Sequence, residues 1–238
     1  MKAFVFAAGL GTRLKPLTDS MPKALVPVNG KPLLGHVMEK LQGCGIHSFV
    51  VNVHHFANQI VKYLQNQWSE TEVAISDETD ALLETGGAIK KAQPLLGNES
   101  FLIHNVDILS NADVMALMQL HHQQKAAATL LVSQRKSSRY LLFDEQMRLK
   151  AWTNTQTGQV KTPYKNLDIS TLKPYAFSGI HGFSPVLFDA MQNYPDKFSI
   201  IDFYLDQCLN YPIYGYEQPD LKLLDVGKLD SLKQAENF

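Results

Sequence analysis

A glycine-rich loop and two aspartates are the residues of this chain whose types and spacing can do chemistry. Gly9-Leu10-Gly11-Thr12-Arg13 follows a short apolar run, and Pro16, Pro22 and Lys23 come soon after. Glycines let backbone N–H groups turn inward on an anion, and Arg13 and Lys23 bring two cations to the same place. Ala8, Gly9, Gly11 and Thr12 are therefore the candidate cradle for phosphate oxygens. Asp107 closes the apolar run 101–106, and Asp225 closes 221–224 ahead of a small-residue turn at Gly227. A carboxylate at the rim of a buried strand is costly unless it is paired or holds a metal. Mg²⁺ takes a few carboxylates and leaves its other positions to phosphate and water. Either aspartate can equally cap the turn or helix that follows it.

Other chemistries lack their residues. A dinucleotide fingerprint needs a third glycine where Leu14 stands, and Gly30-Lys31 runs into Pro32 rather than Ser or Thr, so no P-loop forms. No Ser sits in a G-x-S-x-G elbow. The pairs His54-His55 and His121-His122 lack zinc-ligand spacing. Cys44 and Cys208 are too few for a disulfide framework or a Cys-rich zinc site and read as packed thiols. A formal charge of -1 supplies no field to gather nucleic acid, which leaves a small anionic ligand as the partner to expect. The first 13 residues are apolar too briefly for a signal peptide, and no run reaches the ~20 apolar residues that span a bilayer. The cytoplasm and no membrane partner are the expectation.

These residues need a scaffold, and the pattern around them supplies one. Residues 3–8 form a continuous apolar run stopped by glycine, as a strand buried on both faces would. From Pro32, Leu33, Leu34, Val37, Met38 and Leu41 recur at helical spacing until Gly43 and Gly45. Strand-like 49–53, helical 60–64 and strand-like 73–76 follow, then a strand at 101–106, a helix at 114–121 and a strand at 126–132. Alternation of this kind implies an α/β fold with a mostly parallel sheet between two helical layers, its ligands beyond the carboxyl ends of the strands. After residue 133 the pattern loosens into short strand pieces at 140–143 and 149–152 around a polar stretch, 153–173. At 45% hydrophobic and 19% charged, the 238 residues make one domain, with 134–220 as its acceptor side.

The stretch AAGLGTRLKPLTDSMPKALVPVNGKPLL resembles the signature of sugar-1-phosphate nucleotidyltransferases. LLETGGAIKKAQPLLG, Asn105-Val106-Asp107, Phe177-Ser178-Gly179-Ile180 and Leu224-Asp225-Val226-Gly227 follow in that family's order. Among its members the chain is most similar to short ones without a C-terminal β-helix, the N-acetylmuramate 1-phosphate uridylyltransferase and mannose-1-phosphate guanylyltransferase-like proteins. The resemblance implies a Rossmann-like, three-layer nucleotide-diphospho-sugar transferase fold. It also implies Mg²⁺ on Asp107 and Asp225, with an NTP and a sugar 1-phosphate as substrates. Arg13 would meet the NTP phosphates, and Lys23 would lie between nucleotide and acceptor phosphates. Glu84, Thr85, Gly86 and Gly87 would contact base, ribose or sugar, the alternative being a glycine-opened helix start. Asn105 would be a further nucleotide contact, and Val106 replaces the small residue common before this aspartate. Ser178 and Gly179 fall on the acceptor side, where Lys161, Lys165 or Lys173 would hold the acceptor phosphate, Lys173 being preferred. Glu78 lies in the loop that reads the base edge in relatives. A carboxylate there accepts from the N–H groups of uracil or guanine but meets cytosine N3 poorly.

Two rivals stand beside this reading. One is a non-catalytic subunit that binds nucleotide-sugar as a sensor; the other is a cytidylyltransferase acting on a non-sugar phosphate.

Overall fold

The computed structural model describes all residues, 1–238. Strand β1 (Lys2–Phe6) buries Ala3 and Val5 on one face and Phe4 on the other, which is why its sequence reads as an unbroken apolar run. Three single 3₁₀ turns, Thr12–Leu14, Leu17–Asp19 and Lys23–Leu25, carry the glycine loop to a small hairpin, β2 (Pro27–Val28) and β3 (Lys31–Pro32). Helix α1 (Leu33–Gly43) buries the apolar stripe predicted for it. There follow β4 (Ser48–Val53), α2 (Ala57–Gln67), β5 (Glu72–Asp77), α3 (Glu84–Leu96) and β6 (Phe101–Asn105). Next come β7 (Ile108–Ser110), α4 (Val114–Gln123) and β8 (Ala128–Ser133). The ribbon β9 (Arg139–Phe143), β10 (Leu149–Asn154) and β11 (Gln159–Lys161) precedes the long β12 (Lys173–Phe183). The chain then runs through α5 (Leu187–Met191), α6 (Ile200–Gln207), β13 (Ile213–Glu217), β14 (Leu223–Asp225) and α7 (Leu229–Ala235).

The main sheet has the order β11-β10-β9-β12-β6-β1-β4-β5, with β8 on β12 and β13 on β8. Its centre, β6-β1-β4-β5, is parallel as the βαβ alternation predicts. β12 runs antiparallel to β6, β8 and β9, and the ribbon beyond it is antiparallel as well. Within the ribbon β9-β10-β11 the cause is connection length: a parallel pair needs a crossover of a dozen or more residues, whereas the polar turns within 139–161 are too short for one.

Apolar packing covers both faces of the sheet. On one side Val5, Val51 and Leu102 meet Val37, Met38 and Leu41 of α1; on the other Phe4, Val50 and Phe101 meet Ile89 of α3 and Phe203 and Tyr204 of α6. The rigid centre therefore ends, at the carboxyl termini of β1, β4 and β6, in the loops that hold the candidate residues. No helix is long and apolar enough to cross a membrane.

Candidate active site

Gly11 turns the loop with φ 65°, and a Cβ on it would lie 2.8 Å from Thr18 Cγ2 and 2.9 Å from Lys23 Cβ. Both the left-handed backbone and the missing side chain are thus required, and the consequence is that Lys23 folds back under the loop. The Thr18 hydroxyl donates to Gly11 O at 2.9 Å, closing the turn. Gly9, by contrast, has open space where its Cβ would be. The N–H groups of Ala7 and Ala8 donate to Asn52 Oδ1 at 2.7 and 3.3 Å, and Asn52 Nδ2 donates to Glu78 Oε1 at 2.7 Å. Asn52 at the end of β4 therefore fixes the exit from β1.

Two cavities open on this loop. The first, of about 280 Å³, is lined by Ala8, Gly9, Lys23, Glu78, Glu84, Thr85, Asn105 and Asp107. Inside it the Lys23 ammonium is ion-paired with the Asp107 carboxylate, both side chains being mostly buried. Glu84 takes φ 61°, a left-handed conformation that a non-glycine residue adopts at a cost, and its exposed carboxylate has no hydrogen-bond partner in the protein. Thr85 Oγ1 accepts from Ile200 N at 3.0 Å, tying the start of α3 to the start of α6.

The second cavity is larger, about 880 Å³, and carries Arg13, Asp225 and Lys228 on one side. Arg135, Arg139 and Lys161 come from the ribbon and its approach, with Trp152 and Phe177 as aromatic walls. Lys161 is paired with Asp202 at 2.7 Å and lies 5.3 Å from the Trp152 ring centre. Arg135 Nη2 donates to Phe177 O at 3.0 Å. Arg139 makes no ion pair, and its guanidinium is free for a ligand.

The glycine loop passes from the first cavity at Gly9 to the second at Arg13, and the two aspartates divide between them in the same way. Their backbones are joined: β14 pairs antiparallel with β7, Asp225 opposite Ile108, and Val226 N donates to Asp107 O at 2.8 Å. Asp225 Oδ1 accepts from Gly227 N at 2.9 Å, the turn-capping role, while its second oxygen has no such bond. Asp107 caps nothing. No three His, Cys, Asp or Glu side chains cluster to hold an ion by themselves. Two carboxylates on adjoining segments suit an ion that completes its coordination with phosphate and water, so this donor set fits Mg²⁺.

Several expectations need correction. Gly86 lines neither cavity: its N–H donates to Phe198 O at 2.8 Å, and a Cβ would lie 2.3 Å from Phe198 Cε2, so this glycine makes room for a ring rather than for a nucleotide. The segment opens α3, and Glu84 and Thr85 also line the smaller cavity. Glu78 is 0% exposed, with Oε1 taken by Asn52 and Oε2 by Leu83 N at 3.4 Å; burial raises its pKa. It supports Asn52 from beneath instead of offering a free edge to a base. Ser178 is buried and absent from both cavities. Gly179, at φ 74° where β12 breaks register against β8, leaves space for Asn105, whose Nδ2 would stand 2.8 Å from a Cβ there. Lys173 is exposed on the first residue of β12, opposite Phe143 and outside both cavities, whereas Lys161, another of the three candidate lysines, lines the larger one. Thr12 sits on the exposed 3₁₀ turn. Asn52, Arg135, Arg139 and Lys228 went unnoticed in the sequence, where each reads as an ordinary polar position.

Behind Asn105, His104 is buried and its Nδ1 donates to Asn105 O at 2.8 Å. Burial lowers its pKa to about 4, so the ring is neutral beside the site.

Residues 2–238 match the family described as Nucleotidyl transferase. The chain is 44% identical over 108 residues to the N-acetylmuramate alpha-1-phosphate uridylyltransferase of Caulobacter vibrioides, covering 44% of this chain and 45% of that protein. With the protein of the same name from Neisseria meningitidis it shares 41% over 120 residues, 50% of this chain and 52% of the other. The matched region thus spans about half the length of these curated relatives. Among solved structures, HddC from Yersinia pseudotuberculosis, complexed with GMP-PN, superposes with a TM-score of 0.77 at 22% identity, over 99% of this chain and 98% of the other. The fold is therefore the Rossmann-like one that the resemblance implied.

Proposed function

Because this chain belongs to the Nucleotidyl transferase family, we propose that it transfers a nucleoside monophosphate from an NTP to a sugar 1-phosphate. An oxygen of the acceptor phosphate attacks the α-phosphorus of the NTP. The bond from that phosphorus to the bridging oxygen breaks, and pyrophosphate leaves with the electron pair. No general base is needed, since the acceptor phosphate is already ionised at neutral pH. The observation that carries the reading is the division of the two cation–carboxylate sets, Lys23 with Asp107 and Arg13 with Asp225, between adjoining cavities whose backbones are joined at Val226.

Catalysis on this scheme is positioning and charge neutralisation. Ala8 and Gly9 bring backbone to the phosphates. Lys23 lies between the two substrates, where it offsets the repulsion of two anions, and Arg13 holds phosphate charge on the side of the larger cavity. Asp107 and Asp225 would hold Mg²⁺, which would supply Lewis-acid stabilisation of phosphate charge. The segment 134–220 forms the acceptor side of a single domain, and the enzyme works in the cytoplasm.

The wall of Arg135, Arg139 and Lys161 favours an acceptor with negative charge at both ends, a phosphate at C1 and a carboxylate on the sugar. N-acetylmuramate 1-phosphate has that form and is the acceptor named for the relatives above, and UTP is accordingly the favoured donor, with GTP next. The test is a matrix of four NTPs against muramate, glucose, mannose and heptose 1-phosphates, with phosphocholine as control and pyrophosphate as readout. Turnover of UTP with the muramate supports the proposal. Nucleotide binding with no pyrophosphate from any pair would make the protein a sensor, and turnover confined to CTP with phosphocholine would move it to the other rival class.

A further inference from the structure

Gly227 lies in the buried turn between β14 and α7, next to both members of the second charged set. A Cβ built on it would stand 2.7 Å from Arg13 Nη2, 3.3 Å from Arg13 Cζ and 2.7 Å from Asp225 Oδ1. Guanidinium and carboxylate therefore face each other across the space that one methyl group would fill. The φ of Gly227 lies outside the left-handed region, so backbone freedom does not explain a glycine here; the empty volume does. Its N–H adds a second constraint by donating to Asp225 Oδ1 at 2.9 Å, which sets the rotamer of that carboxylate.

We propose that Gly227 is a positioning residue for the transfer reaction, a seat that holds the Arg13 guanidinium against Asp225 at the junction of the two cavities. The inference rests on the reading of Arg13 and Asp225 given above and assigns the seat to a residue that lines neither cavity. Arg13 reaches it across almost the whole sequence, from a turn exposed to solvent and with no ion pair of its own to fix it. The Arg13 guanidinium makes no ion pair or hydrogen bond within the protein, and its Nη2 lies against Gly227, 2.7 Å from where a Cβ would stand. Because both groups that a new methyl would meet are ends of side chains, the methyl displaces them without disturbing the backbone. Function and folding then separate: the arginine moves while the core stays as it was.

The test is Gly227→Ala in the full chain, with R13A and the double variant R13A/G227A. G227A is expected to keep the wild-type melting temperature and to lose about a hundredfold in kcat/KM, the order that a misplacement of about 1 Å produces. R13A/G227A should be no slower than R13A alone, since the second change removes a seat with no occupant. The Arg13 Nε–H resonance, assigned by its loss in R13A, should shift in G227A. Wild-type kinetics in G227A, a loss that multiplies with that of R13A, or an unmoved Arg13 resonance would each overturn the proposal. So would a melting temperature lowered enough to account for the lost activity. If the wild-type protein released no pyrophosphate with any substrate pair, the reaction would be wrong, while the resonance would still decide the seat.

Discussion

Lys23 reaches under the glycine loop to form an ion pair with Asp107, although 84 residues separate them, and the pair sits mostly buried in the smaller cavity. Its partner across the joint is Asp225. Replacing either carboxylate by the isosteric amide, D107N or D225N, should lower kcat at saturating substrate and Mg²⁺ by at least about a hundredfold, or about 2.7 kcal/mol, with the circular dichroism unchanged. D107N also leaves Lys23 unpaired in a site that is mostly out of water, so it should lower the melting temperature more than D225N. Near-normal pyrophosphate release would remove the substituted residue from the reaction.

Arg139 has no partner in the protein, so its loss costs the fold nothing and a ligand everything it supplies. R139A should raise KM for muramate 1-phosphate about tenfold, the worth of one charge-assisted hydrogen bond, and leave KM for UTP within twofold. With glucose 1-phosphate, which lacks a carboxylate, the same variant should change little. Equal effects on both acceptors would place Arg139 on the phosphate instead.

Glu84 offers a test in which stability and function move in opposite directions. Its left-handed backbone costs about 1–2 kcal/mol, and glycine returns about half of that relief through its greater freedom when unfolded. E84G should therefore be more stable than wild type by about 0.5–1 kcal/mol while raising KM for one substrate. E84Q, which keeps an acceptor oxygen, should fall between. Unchanged kinetics in E84G would mean that the carboxylate serves no ligand.

Gly86→Ala should behave in the reverse way. The added methyl meets the Phe198 ring and backbone, which cannot yield as a flexible tip does, so overpacking should cost about 1–3 kcal/mol of stability. The variant's KM for UTP should stay near wild type at a temperature where it is folded. A selective rise in that KM with an unchanged melting temperature would restore Gly86 to the nucleotide site.

Three buried histidines make stability fall with acid. Burial, the main cause for each, lowers the pKa of His104 and His121 to about 4 and of His181 to about 3. Above about pH 6.5 each ring is neutral in both states and the full stability is present. Below it the unfolded chain takes up protons that the folded chain refuses, so stability declines until the folded values are reached. Each ring contributes up to about 1.4 kcal/mol per pH unit in that window. H181F, which fits an aromatic environment of Phe177 and Tyr204, should flatten the decline between pH 6.5 and 4 by one proton, read from urea unfolding at each pH. Identical slopes would show that His181 is protonated in the fold.

What the sequence disclosed was local. A glycine loop after an apolar strand, and aspartates at strand ends, announce themselves within a few residues, and strand–helix alternation dictates the parallel centre. The antiparallel ribbon was harder to read, because its strands are short and half-polar, and α6 is only eight residues long although Ser199 caps its start. Arg135 and Arg139 look like solvated surface until β9, β10 and β11 bring them to one wall with Lys161. Glu78 reads as a base-edge residue because Ser76-Asp77-Glu78-Thr79-Asp80 is polar throughout, yet Asn52, from another strand, bonds its carboxylate in a buried position. Gly86 misled for a different reason: a glycine that makes room for a neighbouring ring and one that makes room for a ligand are spelled alike.

The pairing of β14 with β7 also orders events during synthesis. A ribosome that has released the chain only as far as Tyr216 has already delivered the parallel centre, the glycine loop, Lys23 and Asp107, and the acceptor wall with them. Asp225, Gly227 and the Val226 N–H that anchors them to Asp107 are still in the exit tunnel. The nascent protein at that moment holds three of the four charged residues, Arg13, Lys23 and Asp107, and Asp225 joins them only when one short strand zips onto β7.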